Sequence, residues 1–261
     1  MRILFFGDIV GEAGRKAISL ALPSLKEKYK PDFVIANAEN ATHGKGLSYA
    51  HYNYLIQAGC DCLTLGNHWR SKASIDDYID DASDLVRPLN VKGDAKGKGS
   101  VSFDVGGIEV RVTNLLGTML MRDQEDSPFE KFNDLLGKTK PCIHIVDFHA
   151  ETTSEKAMFA HMFDGSVSVI VGTHTHVQTN DAKILENGTA FISDLGMCGD
   201  PDGVIGFEKN SVINHMVFGE KTHFELNPKA RKMINAAVID VDDMTYSAKS
   251  ITAINFILED K

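Results

Sequence analysis

Val167-Ser168-Val169-Ile170-Val171-Gly172-Thr173-His174-Thr175-His176 is the stretch whose reading decides the fold. The short apolar run, rich in β-branched residues and closed by glycine, predicts a buried strand. The polar residues after it predict a loop at the strand's carboxyl end. Two histidines one residue apart on an extended backbone point the same way. Such a pair can hold two neighbouring metal ions, and imidazole suits Zn, Fe and Mn. Four further apolar runs end alike. Ile3 to Phe6 runs into Gly7-Asp8, and Phe33 to Ala36 into Asn37-Ala38-Glu39-Asn40. Leu63 to Leu65 runs into Gly66-Asn67-His68, and Ile143 to Val146 into Asp147-Phe148-His149. Open α/β sheets bind ligands outside the carboxyl ends of their strands. A lone strand-end Asp or Asn is ordinarily a cap or turn residue; these clusters together predict a metal site.

The candidate ligands are Asp8, Glu39, Asn40, Asn67, His149, His174 and His176. All offer nitrogen or oxygen, and they are too many for one tetrahedral zinc. They suit two ions sharing one bridging carboxylate, an arrangement used for displacement at phosphorus. Two divalent ions outweigh the charges of Asp8, Glu39 and a bridging hydroxide, leaving a cationic centre that favours a phosphate anion. His68 follows Asn67 directly, and adjacent residues on a tight loop point differently. His68 is therefore expected to face substrate, stabilising charge on phosphorus or protonating the leaving oxygen. His43, in Thr42-His43-Gly44-Lys45-Gly46, and Trp69 are candidate substrate contacts. Trp69 could stack on a base, with core packing as the competing reading. His144 reads as a core residue, and His51, His161, His215 and His223 as surface.

Length and composition narrow the class. The 261 residues, 43% hydrophobic and 24% charged, suit a single globular domain over 1–261. A net charge of −9 argues against an extended nucleic-acid surface. The four cysteines form no C-x-x-C pair and read as buried thiols. No signal peptide or transmembrane run is visible, so a cytoplasmic location is expected. Strand–helix alternation opens the chain, with helices near Arg15–Lys28, Ser48–Gln57 and Ser74–Asp81. Ser48 is the expected cap of the second, and Gly59 its end. Leu85 to Gly99 reads as loop. Gly106-Gly107 and Asn187-Gly188 predict hairpins. Helices are expected at Pro128–Leu136 and Thr153–Met162, and paired strands at Ala236–Val241 and Ile251–Leu258. Glu208 to Val217 is ambiguous. The pattern predicts mixed α/β sheets, two of them packed together and flanked by helices.

In combination these motifs resemble the calcineurin-like metallophosphoesterases. The order Gly7-Asp8-Ile9-Val10-Gly11, Asn37-Ala38-Glu39-Asn40, Gly66-Asn67-His68, Asp147-Phe148-His149-Ala150-Glu151 and Gly172 through Thr179 resembles the YmdB-like branch over nearly the whole chain. Gly196-Met197-Cys198-Gly199 and Val204-Ile205-Gly206 fit it too. The resemblance implies a four-layer α/β/β/α sandwich with a dinuclear centre of Fe, Mn or Zn. It implies that Glu39 bridges the ions, that Asp8, Asn40 and His176 complete one site, and that Asn67, His149 and His174 complete the other. His68 would be the catalytic histidine. It further implies phosphodiesterase activity, with 2′,3′-cyclic nucleotides among the substrates, and a dimer or tetramer. The broad superfamily usually has D-x-H at the first motif, where this chain has Val10; the branch commonly has Thr-Trp-Asp after G-N-H, where this chain has Trp69-Arg70-Ser71. Two readings compete: a dinuclear amide or ester hydrolase, and a regulatory protein with residual phosphodiesterase activity.

Overall fold

The computed structural model of the chain describes residues 1–121 and 125–259. The elements are β1 (Arg2–Ile9), α1 (Gly11–Tyr29), β2 (Phe33–Asn37), α2 (Tyr49–Ala58), β3 (Cys62–Thr64), β4 (Leu85–Val86), β5 (Ser100–Val105), β6 (Ile108–Leu116), α3 (Pro128–Leu136), β7 (Ile143–His149), α4 (Thr153–Met162), β8 (Val169–Thr173), β9 (Lys183–Ile184), β10 (Ala190–Ile192), β11 (Met197–Cys198), α5 (Lys209–Met216), β12 (Lys232–Val241) and β13 (Ala248–Leu258).

They form two mixed sheets. The first runs β13-β12-β1-β2-β3-β4, with β11 pairing the end of β1; the second runs β5-β6-β7-β8-β10-β9. β1, β2, β3 and β4 are mutually parallel, as are β6, β7, β8 and β10; β12 and β13 in the first sheet and β5 and β9 in the second pair antiparallel. Alternation along the strands sorts the layers, because successive side chains leave a strand on opposite faces. Ile3 and Phe5 of β1 join Ile35, Val110, Val112, Ile145, Val169 and Val171 in the core between the sheets. Leu4 and Phe6 turn the other way and pack with Ala17, Ile18, Ala21 and Leu22 of α1. On the far side, Val146, Phe148 and Ile170 pack against Phe132 of α3 and Phe159 of α4. Helices, sheet, sheet and helices therefore stack as the expected four layers. Burying strands on both faces explains why they read as unbroken apolar runs.

Local expectations fare unevenly. α3 and α4 begin and end where the pattern places them. Gly59 closes α2 in the left-handed conformation, but the Ser48 side chain makes no cap bond; its hydroxyl instead receives the Thr42 Oγ1 hydrogen at 3.3 Å. The helix expected over Ser74–Asp81 is a short 3₁₀ turn, Ala73–Asp77. The ambiguous Glu208 segment is a helix capped by the Glu208 carboxylate, which accepts from Asn210 N and Ser211 N. No helix of the described residues is long and apolar enough to cross a membrane.

Candidate metal centre

The carboxyl ends of the central parallel strands from both sheets meet at one place. β1 delivers Asp8; the turn after β2 delivers Glu39 and Asn40; the turn after β3 delivers Asn67 and His68; β7 ends on His149. The loop after β8 delivers His174 and His176. Asp147 ties the two sheets at the base of this meeting point. Its Oδ2 accepts from Asn37 Nδ2 at 2.9 Å and from the Thr64 hydroxyl, both on the first sheet. Its Oδ1 accepts from Thr173 Oγ1 at 2.7 Å on the second.

All seven expected ligands lie together. His149 Nε2 stands 3.0 Å from Asn67 Oδ1, 3.0 Å from His174 Nδ1 and 3.3 Å from Glu39 Oε1. The ligand atoms of Glu39, His149 and His174 all lie within 4.8 Å of one another. Asn40 Nδ2 reaches Glu39 Oε1 and His176 Nε2, each at 3.0 Å. Asp8 Oδ2 accepts the His174 backbone N–H at 3.1 Å.

Each of the three histidines has its outward nitrogen engaged. Thr173 gives its hydroxyl hydrogen to Asp147, so it accepts from His149 Nδ1 at 2.8 Å. His176 Nδ1 donates to the Ile205 carbonyl at 2.8 Å. His174 Nε2 lies 2.8 Å from Glu151 Oε2. With the other nitrogen engaged outward, His149 Nε2, His174 Nδ1 and His176 Nε2 turn toward the centre, the arrangement second partners impose on metal-binding imidazoles.

Two buried oxygens, Asp8 Oδ1 and Asn40 Oδ1, have no hydrogen-bond partner. Buried polar atoms are rarely orphaned, so these two point to a ligand. The electrostatics agree. Burial pushes the Asp8 carboxyl up to about 6. Burial works in the same sense on Glu39, but the charge and hydrogen bond of His149 outweigh it and hold Glu39 below the carboxylate range. Burial would depress His149, yet Glu39, Asp8 and Asp147 lift it to about 9. The cluster draws in positive charge, which cations would supply. The residues fit a metal centre of N and O donors.

The space is shaped for close approach. A Cβ on Gly66 would lie 2.3 Å from Glu39 Oε2 and 2.5 Å from His149 Nε2, so only glycine admits this turn. The two H-x-H residues do not sit on extended backbone as expected. His174 and His176 adopt φ of 106° and 67°, in a bend beyond the strand. Their common aim comes from the loop, not from strand periodicity.

The remaining candidates separate. His68 is half-buried beside the centre; its backbone N–H donates to Glu39 Oε2 at 2.8 Å, and its Nδ1 lies 3.4 Å from Asn67 Nδ2. Trp69 packs in the core under the first sheet's helices, with the Arg70 guanidinium 5.7 Å from its ring centre. Its placement follows the packing alternative, not the base-stacking one. His43 is exposed, with φ of 54°, and meets the edge of the His51 ring at 6.0 Å between centres. His144 is buried as expected and hydrogen-bonded to Thr113 Oγ1 at 2.9 Å. The sequence reading passed over Asp147, Thr173, Lys156 and Asp194. The first two stand inside the quoted motifs beside the candidate histidine ligands, a signal that was available.

Comparison with known proteins bears on this geometry. The family described as YmdB-like protein matches residues 4–254. The 2′,3′-cyclic-nucleotide 2′-phosphodiesterase of Bacillus subtilis is 44% identical, the alignment covering 97% of this chain and 96% of that protein. The crystal structure of a phosphatase from Mycoplasma pneumoniae superposes with a TM-score of 0.93 at 42% identity, covering 98% of this chain and 93% of that one. That of a Thermus thermophilus protein of unstated function superposes at 0.92 with 35% identity, covering 98% and 99%.

Proposed function

This chain belongs to the YmdB-like family, and we propose that it is a metal-dependent phosphodiesterase acting on 2′,3′-cyclic nucleotides. The observation that carries the reading is the clustering of Glu39, His149 and His174 ligand atoms within 4.8 Å of one another, with Asp8 Oδ1 and Asn40 Oδ1 buried and unpartnered beside them. The relative from Bacillus subtilis, named for that substrate class, supports it along nearly the full length.

In this reading Asp8, Asn40 and His176 would hold one ion, Asn67, His149 and His174 would hold a second, and the Glu39 carboxylate would be available to both. Fe, Mn and Zn all suit such a donor set. Bound ions would supply the charge that draws a phosphodiester anion and the Lewis acidity that activates water for in-line attack.

The chain's own residues do the rest. Asp147 and Thr173 fix the His149 ring; Ile205 O and Glu151 fix the other two. The Gly66–His68 turn is pinned by the His68 N–H on Glu39 Oε2. His68 thereby stands next to a ligand without being one. From there it donates a proton or hydrogen bond to the ribose oxygen released as the cyclic ester opens.

The test is hydrolysis of 2′,3′-cyclic mononucleotides by the purified protein, before and after chelation and on re-addition of Mn²⁺, Fe²⁺ or Zn²⁺. Turnover that falls with chelator and returns with one of these ions supports the reading. A metal-replete protein inactive on cyclic nucleotides and on bis(p-nitrophenyl) phosphate, but active on amides or carboxylic esters, would replace it with the other dinuclear hydrolase class.

A further inference from the structure

Among the described residues, seven non-glycine positions have positive φ, and three of them, His174, His176 and Ile205, adjoin the metal centre. Ile205 is the β-branched one. A β-branched residue at φ of 47° is strained, because its Cβ substituents crowd the backbone. The strain sits in a tight turn. Val204 N donates to Phe207 O at 2.8 Å and Phe207 N returns to Val204 O at 3.0 Å. The two residues between, Ile205 and Gly206, have φ of 47° and 92°. Positive φ at both central positions is the type I′ requirement, which Asn-Gly, Asp-Gly and Gly-Gly meet at low cost. Gly206 obeys that rule and Ile205 breaks it.

Two structural reasons could keep an isoleucine there, and neither does. The first is packing, but the side chain is 45% exposed and lies outside the buried core. The second is the bond from His176 Nδ1 to Ile205 O. That bond uses the carbonyl, which any residue would supply. It explains why the turn is strained where it is, and not why the residue is apolar. Strain held without a packing return is the mark of a functional position.

We propose that Ile205 is a specificity-determining residue: its exposed apolar side chain, carried by the turn that orients His176, forms the surface against which the nucleobase of the substrate rests. The inference rests on the phosphodiesterase reading above and names the part of the substrate this turn recognises. A base offers a flat apolar face; the phosphate and ribose hydroxyls do not. The seven candidate ligands and His68 are polar and, in this reading, committed to metal or proton. Val204, 38% exposed on the same turn, extends the apolar surface.

The experiment compares Ile205→Asn, Ile205→Gly and Ile205→Leu with the parent, in metal-loaded protein. Two substrates are used: a 2′,3′-cyclic mononucleotide and base-free ribose 2′,3′-cyclic phosphate. The readout is the ratio of kcat/KM for the nucleotide over the base-free ester, which cancels any disturbance of His176 or of metal content. Asn and Gly should lower this ratio about 10-fold or more, through KM on the nucleotide, the scale of a lost apolar contact. Leu should keep the ratio within about threefold. Asn and Gly should also raise Tm by about 2–4 °C, since both relax the turn. Equal ratios in all four proteins would overturn the proposal, and so would a fall in Tm for Gly, which would show a side chain held by packing. A parent that hydrolyses the base-free ester and the nucleotide equally well also overturns it, while leaving the phosphodiesterase reading standing. A parent inactive on both would overturn that reading itself.

Discussion

Lys156 Nζ lies 2.7 Å from Asp194 Oδ2, and both side chains are buried. The same carboxylate oxygen accepts the backbone N–H of Thr175 at 3.0 Å, and Oδ1 accepts that of Gly196 at 2.8 Å. Thr175 is the residue between the two loop histidines, both of which have positive φ. A buried ion pair on α4 and the strand-end loop after β10 thus clamps the bend that aims His174 and His176.

Breaking one side of that pair should be severe. Lys156→Met leaves the Asp194 carboxylate buried without its cation, which costs about 3–5 kcal/mol in such settings. Chemical denaturation measures it. The double variant Lys156→Met, Asp194→Leu should recover only part of that stability, because the buried charge is gone but Thr175 N and Gly196 N have lost their acceptor. It should not recover metal affinity, since Thr175 N loses its acceptor and the bend is freed. A loss of about 10–100-fold in affinity is the scale for outer partners of ligands. A stable double variant that titrates with metal like the parent would refute the clamp.

Gly66 gives a sharper test of the centre's shape. The added methyl of Gly66→Ala falls between Glu39 Oε2 and His149 Nε2, where distances of 2.3 and 2.5 Å leave no room. Metal content should fall well below the parent's, and activity with it, by at least about 10²-fold. The far-ultraviolet circular dichroism should stay native, because the three apolar clusters that hold the layers are built mainly from the strands and helices, and this turn adds only Trp69 to them. Elemental analysis showing full metal in the alanine variant would place the ions elsewhere.

Much of this candidate site was legible because the candidate ligands and the strand ends coincide in the sequence. An apolar run buried on both faces has little choice but to end in a loop, and the residue types at those ends announced nitrogen and oxygen chemistry. The layers were legible for the same reason. What sequence spacing misjudged was direction. The H-x-H pair reads as two side chains on one strand face, yet the backbone has left the strand by His174, and tertiary hydrogen bonds set the aim. Lys156 and Asp194 were illegible because a buried ion pair across 38 positions has no local signature. Asp147 was hidden because a strand-end carboxylate reads equally as a ligand, a turn or a buried tie. The Ser48 cap failed where a neighbouring hydroxyl, Thr42, took up the serine side chain instead.

His144 makes the acid limb of stability predictable. Burial and the nearby Arg111 guanidinium push this imidazole down to about 3, from about 6.5 in an open chain. Between those two values the unfolded chain binds a proton that the folded protein refuses. Stability from the neutral ring is therefore fully present above about pH 6.5 and drains away as pH falls toward about 3. The slope approaches about 1.4 kcal/mol per pH unit for one such group. His144→Gln removes the titration. Subtracting its unfolding free energies from the parent's, at several pH values from about 6.5 to about 4, should give a difference that shrinks as pH falls. A difference flat across that range would mean that the ring protonates in the fold.

In the proposed mechanism the chemistry turns on His68. Its backbone is fixed by the bond to Glu39 Oε2, and its ring Nδ1 lies 3.4 Å from Asn67 Nδ2, beside the candidate ligands. Removing a general acid or a hydrogen-bond donor from a transition state costs about 10²–10⁴-fold in rate. His68→Ala should lower kcat on 2′,3′-cyclic nucleotides within that range and leave metal content near the parent's. The leaving group then separates two mechanisms. p-Nitrophenolate leaves without a proton, so if His68 is the acid, bis(p-nitrophenyl) phosphate should lose far less than a cyclic nucleotide, whose alkoxide must be protonated. If His68 instead stabilises charge on the phosphoryl oxygens, both should fall alike. His68→Asn sharpens the distinction, because an amide can donate a hydrogen bond but cannot deliver a proton. It should rescue part of kcat in the second case and none in the first. A variant that loses its metal would make His68 a ligand, and one that turns over every diester at the parent's rate would remove it from the reaction.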